Sequence, residues 1–412
     1  MNGVDDDSDG EAWEASDDVK GGPLPPELVK LARAKELQYL RDMEVYRYAS
    51  VADCVRITGR RPIGLRWIDT NKSSKETPNI RSRLVCTEVR RPGLEPIFAA
   101  TPPLDALRAL LVKAASRWGR TNKELTLQLV DVSRAHFYAQ AVRDVFVRLP
   151  PEDPRSHEHG LCGKLHKTMY GTLDAAERWA LHYTEVLEKA GFQSGSSSPC
   201  IFWHKGRDIW LVVHGDDFVS VAEPGDQDFL HQTLSDVYEV KKSVAGSGHD
   251  TQIRILGRVM TWSPDGWQME GDPQHLEMAA SSLGLDGAKG VSSPVAEDPG
   301  ILSAAAIKKI RLELSQPGRS SVKLCTSQQN LLSAEQIKVY QSVAARLNYL
   351  SLDRPDIGYA IKECMRTMTA PCDDDLKALK RIIRYLLSMP RLAYLFQWAP
   401  LVDEVVVWGD AN

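Results

Sequence analysis

No apolar run in this sequence approaches the roughly 18 residues that a membrane-crossing helix needs, so no span is expected. The opening residues are acidic where a secretory signal or a transit peptide would be basic, and the expectation is an intracellular protein. No Cys-x-x-Cys spacing occurs. The seven cysteines (Cys54, Cys86, Cys162, Cys200, Cys325, Cys364, Cys372) are odd in number and scattered, which argues against a zinc knuckle and a disulfide framework and for reduced thiols. There is no internal repeat. Nor is there an overall excess of one charge, with 51 Lys and Arg against 55 Asp and Glu. That balance hides an asymmetry. Residues 1–18 hold eight acids (Asp5, Asp6, Asp7, Asp9, Glu11, Glu14, Asp17, Asp18) and no base, whereas 56–91 hold ten Arg or Lys against three acids. At 412 residues the chain is long enough for two or three domains and for a core that needs no staples.

What is present reads as alternating helices and strands. Residues 1–26, acidic and then rich in Gly and Pro, are expected to be a disordered, solvated tail. Asp5-x-Asp7-x-Asp9-Gly10 begins like a calcium loop, but its twelfth position is Ser16 rather than Glu and no helix precedes it, so a charged tail is the better reading. A helical pattern runs from Pro26 to about Tyr48. Ile63 to Ile68 and Arg83 to Val89 read as strands around a polar turn, carrying most of the basic excess. Helices are predicted at Leu104 to Ala115, Trp179 to Ala190, Asp228 to Val237, Tyr340 to Leu352, Ile357 to Met368 and Asp375 to Leu387. The last carries a stripe of Lys377, Lys380, Arg381 and Arg384 opposite its apolar side. Ile253 to Trp262 and Trp267 to Glu270 are predicted as a hairpin. Residues 293–333 read as a linker or insertion with one helix, Ala304 to Leu314, and Val405 to Trp408 starts a strand.

Two features carry chemistry. Leu125, Leu127, Leu129 and Asp131 fall on one face of a strand, so an apolar face ends in a carboxylate. Ile209 to Val213 and Phe218 to Ala222 are apolar strands separated only by His214-Gly215-Asp216-Asp217. Adjacent carboxylates repel unless a cation sits nearby, and Mg²⁺ binds one or two carboxylates together with substrate phosphates. On the tetrapeptide alone a solvated turn explains the pair equally well. Asp131 shifts the balance, because three carboxylates from two strands can hold two Mg²⁺ ions roughly 4 Å apart. The basic hairpin around Arg81 and Arg83 fits a triphosphate or a nucleic-acid backbone, though a solubilising surface would also be charged.

These residues resemble the reverse transcriptase of copia-type retrotransposons. The resemblance runs in order over about Ala34 to Asn412. Ile63-Gly-Leu-Arg-Trp-Ile-Asp-Thr-Asn-Lys72 and Ile80-Arg-Ser-Arg-Leu-Val85 are similar to fingers motifs, and Phe98-Ala-Ala-Thr-Pro102 precedes the next helix as in that family. Gln128-Leu-Val-Asp-Val-Ser-Arg-Ala135 resembles motif A, Leu165-His-Lys-Thr-Met-Tyr-Gly171 with Trp179 the motif B region, and His214-Gly-Asp-Asp-Phe218 motif C. Asn348-Tyr-Leu350, Arg354-Pro-Asp-Ile-Gly-Tyr-Ala360 and Lys380-Arg-Ile-Ile-Arg-Tyr-Leu386 continue the series, and Trp408-Gly-Asp-Ala-Asn412 resembles the first strand of a ribonuclease H domain. Any one string is weak; the ordered set is specific.

The resemblance implies an α+β right-hand polymerase: fingers, an antiparallel palm sheet with helices on one face, and a helical thumb or connection. The implied boundaries are 27–123 fingers, 124–271 palm, 272–395 thumb or connection, and 396–412 the first strand of a truncated ribonuclease H domain. The implied activity is an RNA-directed DNA polymerase. It would use two Mg²⁺ ions (Mn²⁺ as an alternative), dNTP, and a primer on an RNA or DNA template. No membrane partner is implied, and the location would be cytoplasmic, in a virus-like particle, or nuclear. Asp131, Asp216 and Asp217 would be the catalytic metal ligands. Arg81 and Arg83 would touch the triphosphate, and Lys241 or Lys242 would protonate pyrophosphate. The sugar-facing position is His136 where the family has a bulky aromatic, with Phe137 as the alternative. Asp174 stands where a Gln approaches the nucleotide and Glu177 where an Arg is usual, making the pocket more negative. The Trp262 to Trp267 hairpin would grip primer, and the Lys377 to Arg384 stripe would follow a duplex. The competing expectation is a degenerate relic that binds nucleic acid without polymerising; a third is an interaction module whose Asp pair is only a turn.

Overall fold

The computed structural model describes residues 15–19, 21–73, 77–90, 99–295 and 331–399. The helix expected at Ala304–Leu314, the strand beginning at Val405, and residues 1–14 of the tail lie outside them. The chain forms two compact units, one of residues 1–110 with 118–243 and one of 111–117 with 244–412.

The first unit begins with a two-stranded ladder, β1 (Ala15–Ser16) with β2 (Pro23–Leu24), which corrects the expectation of a disordered tail to residue 26. The reason is hydrogen bonding. Asp17 accepts from the Asn71 backbone N–H at 2.9 Å and Asp18 from that of Asp69 at 2.8 Å, so both acids are tied to a later strand. Helix α1 (Pro26–Asp42) has Pro at its first position, where no intrahelical N–H is needed. It stops short of the predicted Tyr48, because Tyr46 begins strand β3 (Tyr46–Ser50). Then come α2 (Val51–Thr58), the hairpin β4 (Leu65–Asn71) with β5 (Ile80–Cys86), and α3 (Leu104–Ala115) on its predicted residues. Strand β6 (Thr126–Val132) is followed by a short 3-10 helix (Ala135–Tyr138), by β7 (Phe146–Val147) and by β8 (Leu161–Leu165), the last pairing with β3 and β7. Next are α4 (Ala175–Lys189), β9 (Gln193–Ser194), β10 (Ile201–His204), β11 (Ile209–His214), β12 (Asp217–Ala222), α5 (Pro224–Ser235) and β13 (Val240–Ala245).

Six of these strands form one sheet in the order β13-β6-β12-β11-β10-β9. The β6–β12–β11–β10–β9 pairings are antiparallel. Helices α4 and α5 cover one face: Trp179, Tyr183, Leu187, Leu230 and Leu234 bury against Val130, Val132, Phe202, Leu211, Val213 and Phe218. The helix side of β6 and β12 is thus the even-numbered side. Side chains alternate along a strand, so Leu127, Leu129 and Asp131 share the opposite face with Asp217, Val219 and Val221.

In the second unit, β14 (Gln252–Ile255), β15 (Arg258–Ser263) and β16 (Gly266–Gly271) form an antiparallel sheet with β17 (Tyr394–Gln397). The single strand expected from Ile253 to Trp262 is two strands, because Leu256 and Gly257 both take left-handed φ values (48° and 67°) and reverse the chain. Helices α6 (Gln274–Ser282), α7 (Ala334–Leu350), α8 (Gly358–Arg366) and α9 (Asp373–Ser388) share a second core around Tyr340, Leu347, Ile361 and Ile383. The β15–β16 hairpin therefore sits with the helical unit, not with the six-stranded sheet as a boundary at 271 implies. Phe396 and Gln397 pair with Trp267 and Gly266, so no new domain starts at 396. The architecture is α+β. No described helix is long and apolar enough to cross a membrane.

Candidate active site

The β11–β12 turn is tighter than the tetrapeptide suggested. His214 and Asp217 are the last paired residues, leaving Gly215 and Asp216 as the central two. Gly215 has φ 64°, the sign that the first central position of a II′ hairpin turn requires. The turn is pinned twice. Trp179 Nε1, from α4, donates to the Gly215 carbonyl at 2.7 Å, and the Val132 N–H donates to the Asp216 carbonyl at 2.9 Å.

Across the ladder Asp217 lies directly opposite Asp131. Like charges in that position destabilise a sheet. Asp131, Asp216 and Asp217, all half-buried, each offer a carboxylate oxygen within 4.8 Å of the others. Burial pushes Asp217 up to about 7, helped by the charges of Asp216 and Asp131. Asp131 is also raised, by burial and then by Asp216, while Lys241, Arg81 and Arg83 pull it back. Those three cations thus face the trio from β13 and β5. Arg83 lies over the Tyr170 ring at 4.9 Å. Of the two lysines, Lys242 is bound to Asp228 at 3.1 Å, which leaves Lys241 as the one acting on Asp131.

This geometry sits within residues 49–242, which match the family model described as reverse transcriptase (RNA-dependent DNA polymerase). The match covers a little under half of the chain. The chain is 25% identical over 333 residues to the retrovirus-related Pol polyprotein from transposon RE1 of Arabidopsis thaliana, covering 80% of this chain and 20% of that protein. It is 26% identical over 336 residues to the corresponding polyprotein from transposon RE2 of the same plant, again 80% of this chain and 20% of the other. The chain thus spans about a fifth of the length of these relatives. A solved foamy viral protease–reverse transcriptase in complex with double-stranded DNA aligns with TM-score 0.40 at 11% identity, over 87% of this chain and 48% of that one.

The structure places the other expected residues unevenly. His136 packs edge-on to Tyr170, with ring centroids 4.7 Å apart, and burial holds it below the ordinary histidine range. Phe137 is fully buried with Leu37, Leu40 and Met169, so it faces the core and is unavailable to a sugar. Asp174 is also buried, and its carboxylate accepts from Arg143 at 2.6 Å. Burial alone would raise it; the Arg143 hydrogen bond and charge hold it below the usual range. Arg143 also forks onto Glu88 at 2.9 and 3.0 Å. One arginine is thus shared by two carboxylates, so the negative charge expected at this position is only partly offset.

The remaining sequence candidates lie in the second unit. Trp267 is fully buried and packs in its sheet, while Trp262 tilts toward Trp398. In the basic stripe, Arg381 donates to the Ser293 carbonyl at 3.1 Å, Arg384 to that of Lys289 at 2.7 Å, and Lys377 pairs with Asp374 at 2.8 Å. Most of that stripe therefore braces its own chain rather than waiting for a duplex.

Sequence reasoning missed Tyr170, Glu36 and Arg143. Glu36 left a signal. It lies with Val29 and Leu40 at helical spacing on the buried stripe of α1, where a charge requires a partner.

Proposed function

We propose that this chain is an RNA-directed DNA polymerase that joins a dNTP to a primer 3′-hydroxyl on an RNA or DNA template. The observation that carries the reading is the convergence of Asp131, Asp216 and Asp217 within 4.8 Å. The donor set suits a divalent metal: three hard oxygen ligands, mutually repelling, with Asp217 raised to about 7. Asp131, Asp216 and Asp217 would hold two Mg²⁺ ions, which when bound supply an activated hydroxyl and charge neutralisation at the leaving pyrophosphate.

The chain's own residues do the rest. The Trp179 and Val132 hydrogen bonds hold the turn so that Asp216 and Asp217 cannot swing apart. Arg81 and Arg83, two residues apart on one face of β5, would bind the triphosphate, with Tyr170 shelving Arg83. Lys241 would give a proton to the departing pyrophosphate. His136 would lie under the sugar with Tyr170 at its side. Within this reading the six-stranded sheet is the palm, residues 27–123 the fingers, and the helices of the second unit the thumb or connection.

Primer extension on poly(A) with oligo(dT), dTTP and Mg²⁺ tests this. Incorporation by the wild type and none by an Asp216→Ala/Asp217→Ala variant is the expected result. Equal incorporation by both, or duplex binding without extension even in Mn²⁺, refutes it.

A further inference from the structure

The first unit holds an open cavity of about 460 Å³, within the usual size range of small-ligand pockets. Its walls come from segments far apart in the chain. Helix α2 ends at Gly59, whose φ of 69° turns the chain out through Arg60, Arg61 and Pro62. The Ile63 N–H then donates to the Phe146 carbonyl at 2.8 Å, and the Arg148 N–H donates to the Ile63 carbonyl at 2.8 Å. This bridge between Ile63 and Val147 brings Arg60 and Arg61 to the same cavity as Arg148.

The charges around the cavity are unequal. Two acids line it, and both already have partners: Asp144 is paired with Lys164 at 2.6 Å and Glu88 with Arg143 at 2.9 Å. Arg143 also lines it, but holds Glu88 and Asp174. Arg60, Arg61 and Arg148 are exposed, and among the described residues no acid pairs with them. The end of a helix favours cations, which accounts for Arg60 and Arg61 but not for Arg148. Three uncompensated guanidiniums on one concave surface focus a positive field into it.

The lining also says what it recognises. Guanidinium forks match phosphate oxygens. No Asn or Gln is present to read a base edge, and the one ring, Phe146, is only 3% exposed, so it offers no stacking shelf. Ile63 and Val89 leave an apolar wall for whatever the phosphate carries. A cavity of this size takes the phosphates of one strand turned inward, not both backbones of a duplex.

We propose that Arg60, Arg61 and Arg148 form a site for the phosphates of a single-stranded nucleic acid, bound without regard to base. The lining shares no residue with Asp131, Asp216, Asp217, Arg81, Arg83 or Lys241, so the site goes beyond the polymerase reading and does not rest on it.

The test is fluorescence anisotropy of a labelled oligo(dT) strand with the full chain, in EDTA so that metal plays no part, over a range of salt. Each phosphate neutralised on a single strand adds about 0.7 to the slope of log affinity against log salt. Arg61→Gln/Arg148→Gln should therefore flatten the slope by about 1.4, and the wild type's advantage should shrink about seven-fold between about 50 and about 200 mM salt. Arg47→Gln/Arg155→Gln removes the same charge from exposed arginines already paired with Glu44 and Glu158, and should leave the slope unchanged. Binding of a blunt duplex and of free dTTP should fall no further in the first variant than in this control. Should Arg148→Gln prevent folding by circular dichroism, Arg60→Gln/Arg61→Gln carries the same expected slope. An unchanged slope in a folded variant, an equal change in the control, or an equal loss for duplex or dTTP overturns the proposal. A wild type that shows the arginine-dependent slope yet extends no primer overturns the polymerase reading alone. A wild type that extends primer, beside an Arg61→Gln/Arg148→Gln variant with unchanged slope, overturns this inference alone.

Discussion

Replacing Asp217 with Asn should stabilise the metal-free protein while removing its response to metal. Three carboxylates lie within 4.8 Å of one another. At that separation an effective dielectric near 20 gives a repulsion of roughly 3 kcal/mol per pair. Solvent reaches these half-buried groups, so the net gain from deleting one charge is about 2 kcal/mol, equivalent to a rise in Tm of about 4–8 °C for a domain of this size. The sign depends on pH. Folding raises the Asp217 carboxyl from 3.8 to about 7, so the folded state binds its proton more tightly than the unfolded chain. That contribution is fully present below the unfolded value and is lost as pH rises through about 7. In EDTA at pH 8 Asp217→Asn should therefore melt above the wild type, and near pH 4 the two should converge. Added Mg²⁺ should raise the wild-type Tm and leave the variant nearly unmoved. Differential scanning fluorimetry at the two pH values reads all of this. A variant less stable than the wild type at pH 8 in EDTA, or an equal Mg²⁺ response in both, refutes the claim that the trio is electrostatically frustrated.

Other outcomes follow from single contacts. Lys241→Ala should slow single-turnover primer extension about a hundred-fold, the lower end of the range for lost general-acid catalysis, whereas Lys242→Ala, paired with Asp228, should leave it nearly unchanged. Gly171→Ala should destabilise by about 3 kcal/mol or more by urea titration, because a Cβ there would collide with the Cys86 carbonyl and φ is 83°. In the second unit Asp353→Ala should cost about 3–5 kcal/mol, since it strands the buried Arg258 guanidinium that Asp353 holds at 2.9 Å. Asp353→Leu/Arg258→Met should regain most of that loss in the same chemical denaturation.

The acidic trio was legible because its signals are local. Period-2 alternation put Asp131 at the end of an apolar strand face, and a hairpin too short for anything but a turn put Asp216 and Asp217 at its tip. Helix limits were legible where a proline or glycine punctuates them, as at Pro26 and Gly191. They failed where tertiary pairing overrides local pattern. Tyr46 continues a helical spacing yet is taken into a strand by Leu165, and Leu256 with Gly257 breaks an apolar run that reads as continuous. Phe137 was offered for the sugar because it is adjacent to His136, but in a 3-10 turn adjacent side chains diverge, and one of them went to the core.

By itself, then, the order of residues determined which strands carry acids, which segment is basic, and the strings that resemble reverse transcriptase motifs, since these depend on neighbours a few positions apart. Only the folded chain decided that Asp131 stands opposite Asp217, that Asp174 is spent on Arg143, and that Arg134 is tied to Glu36. Those pairings join residues 31 to 98 positions apart. Ladder register and the partner of a buried charge are set by packing across such distances, which no local pattern encodes.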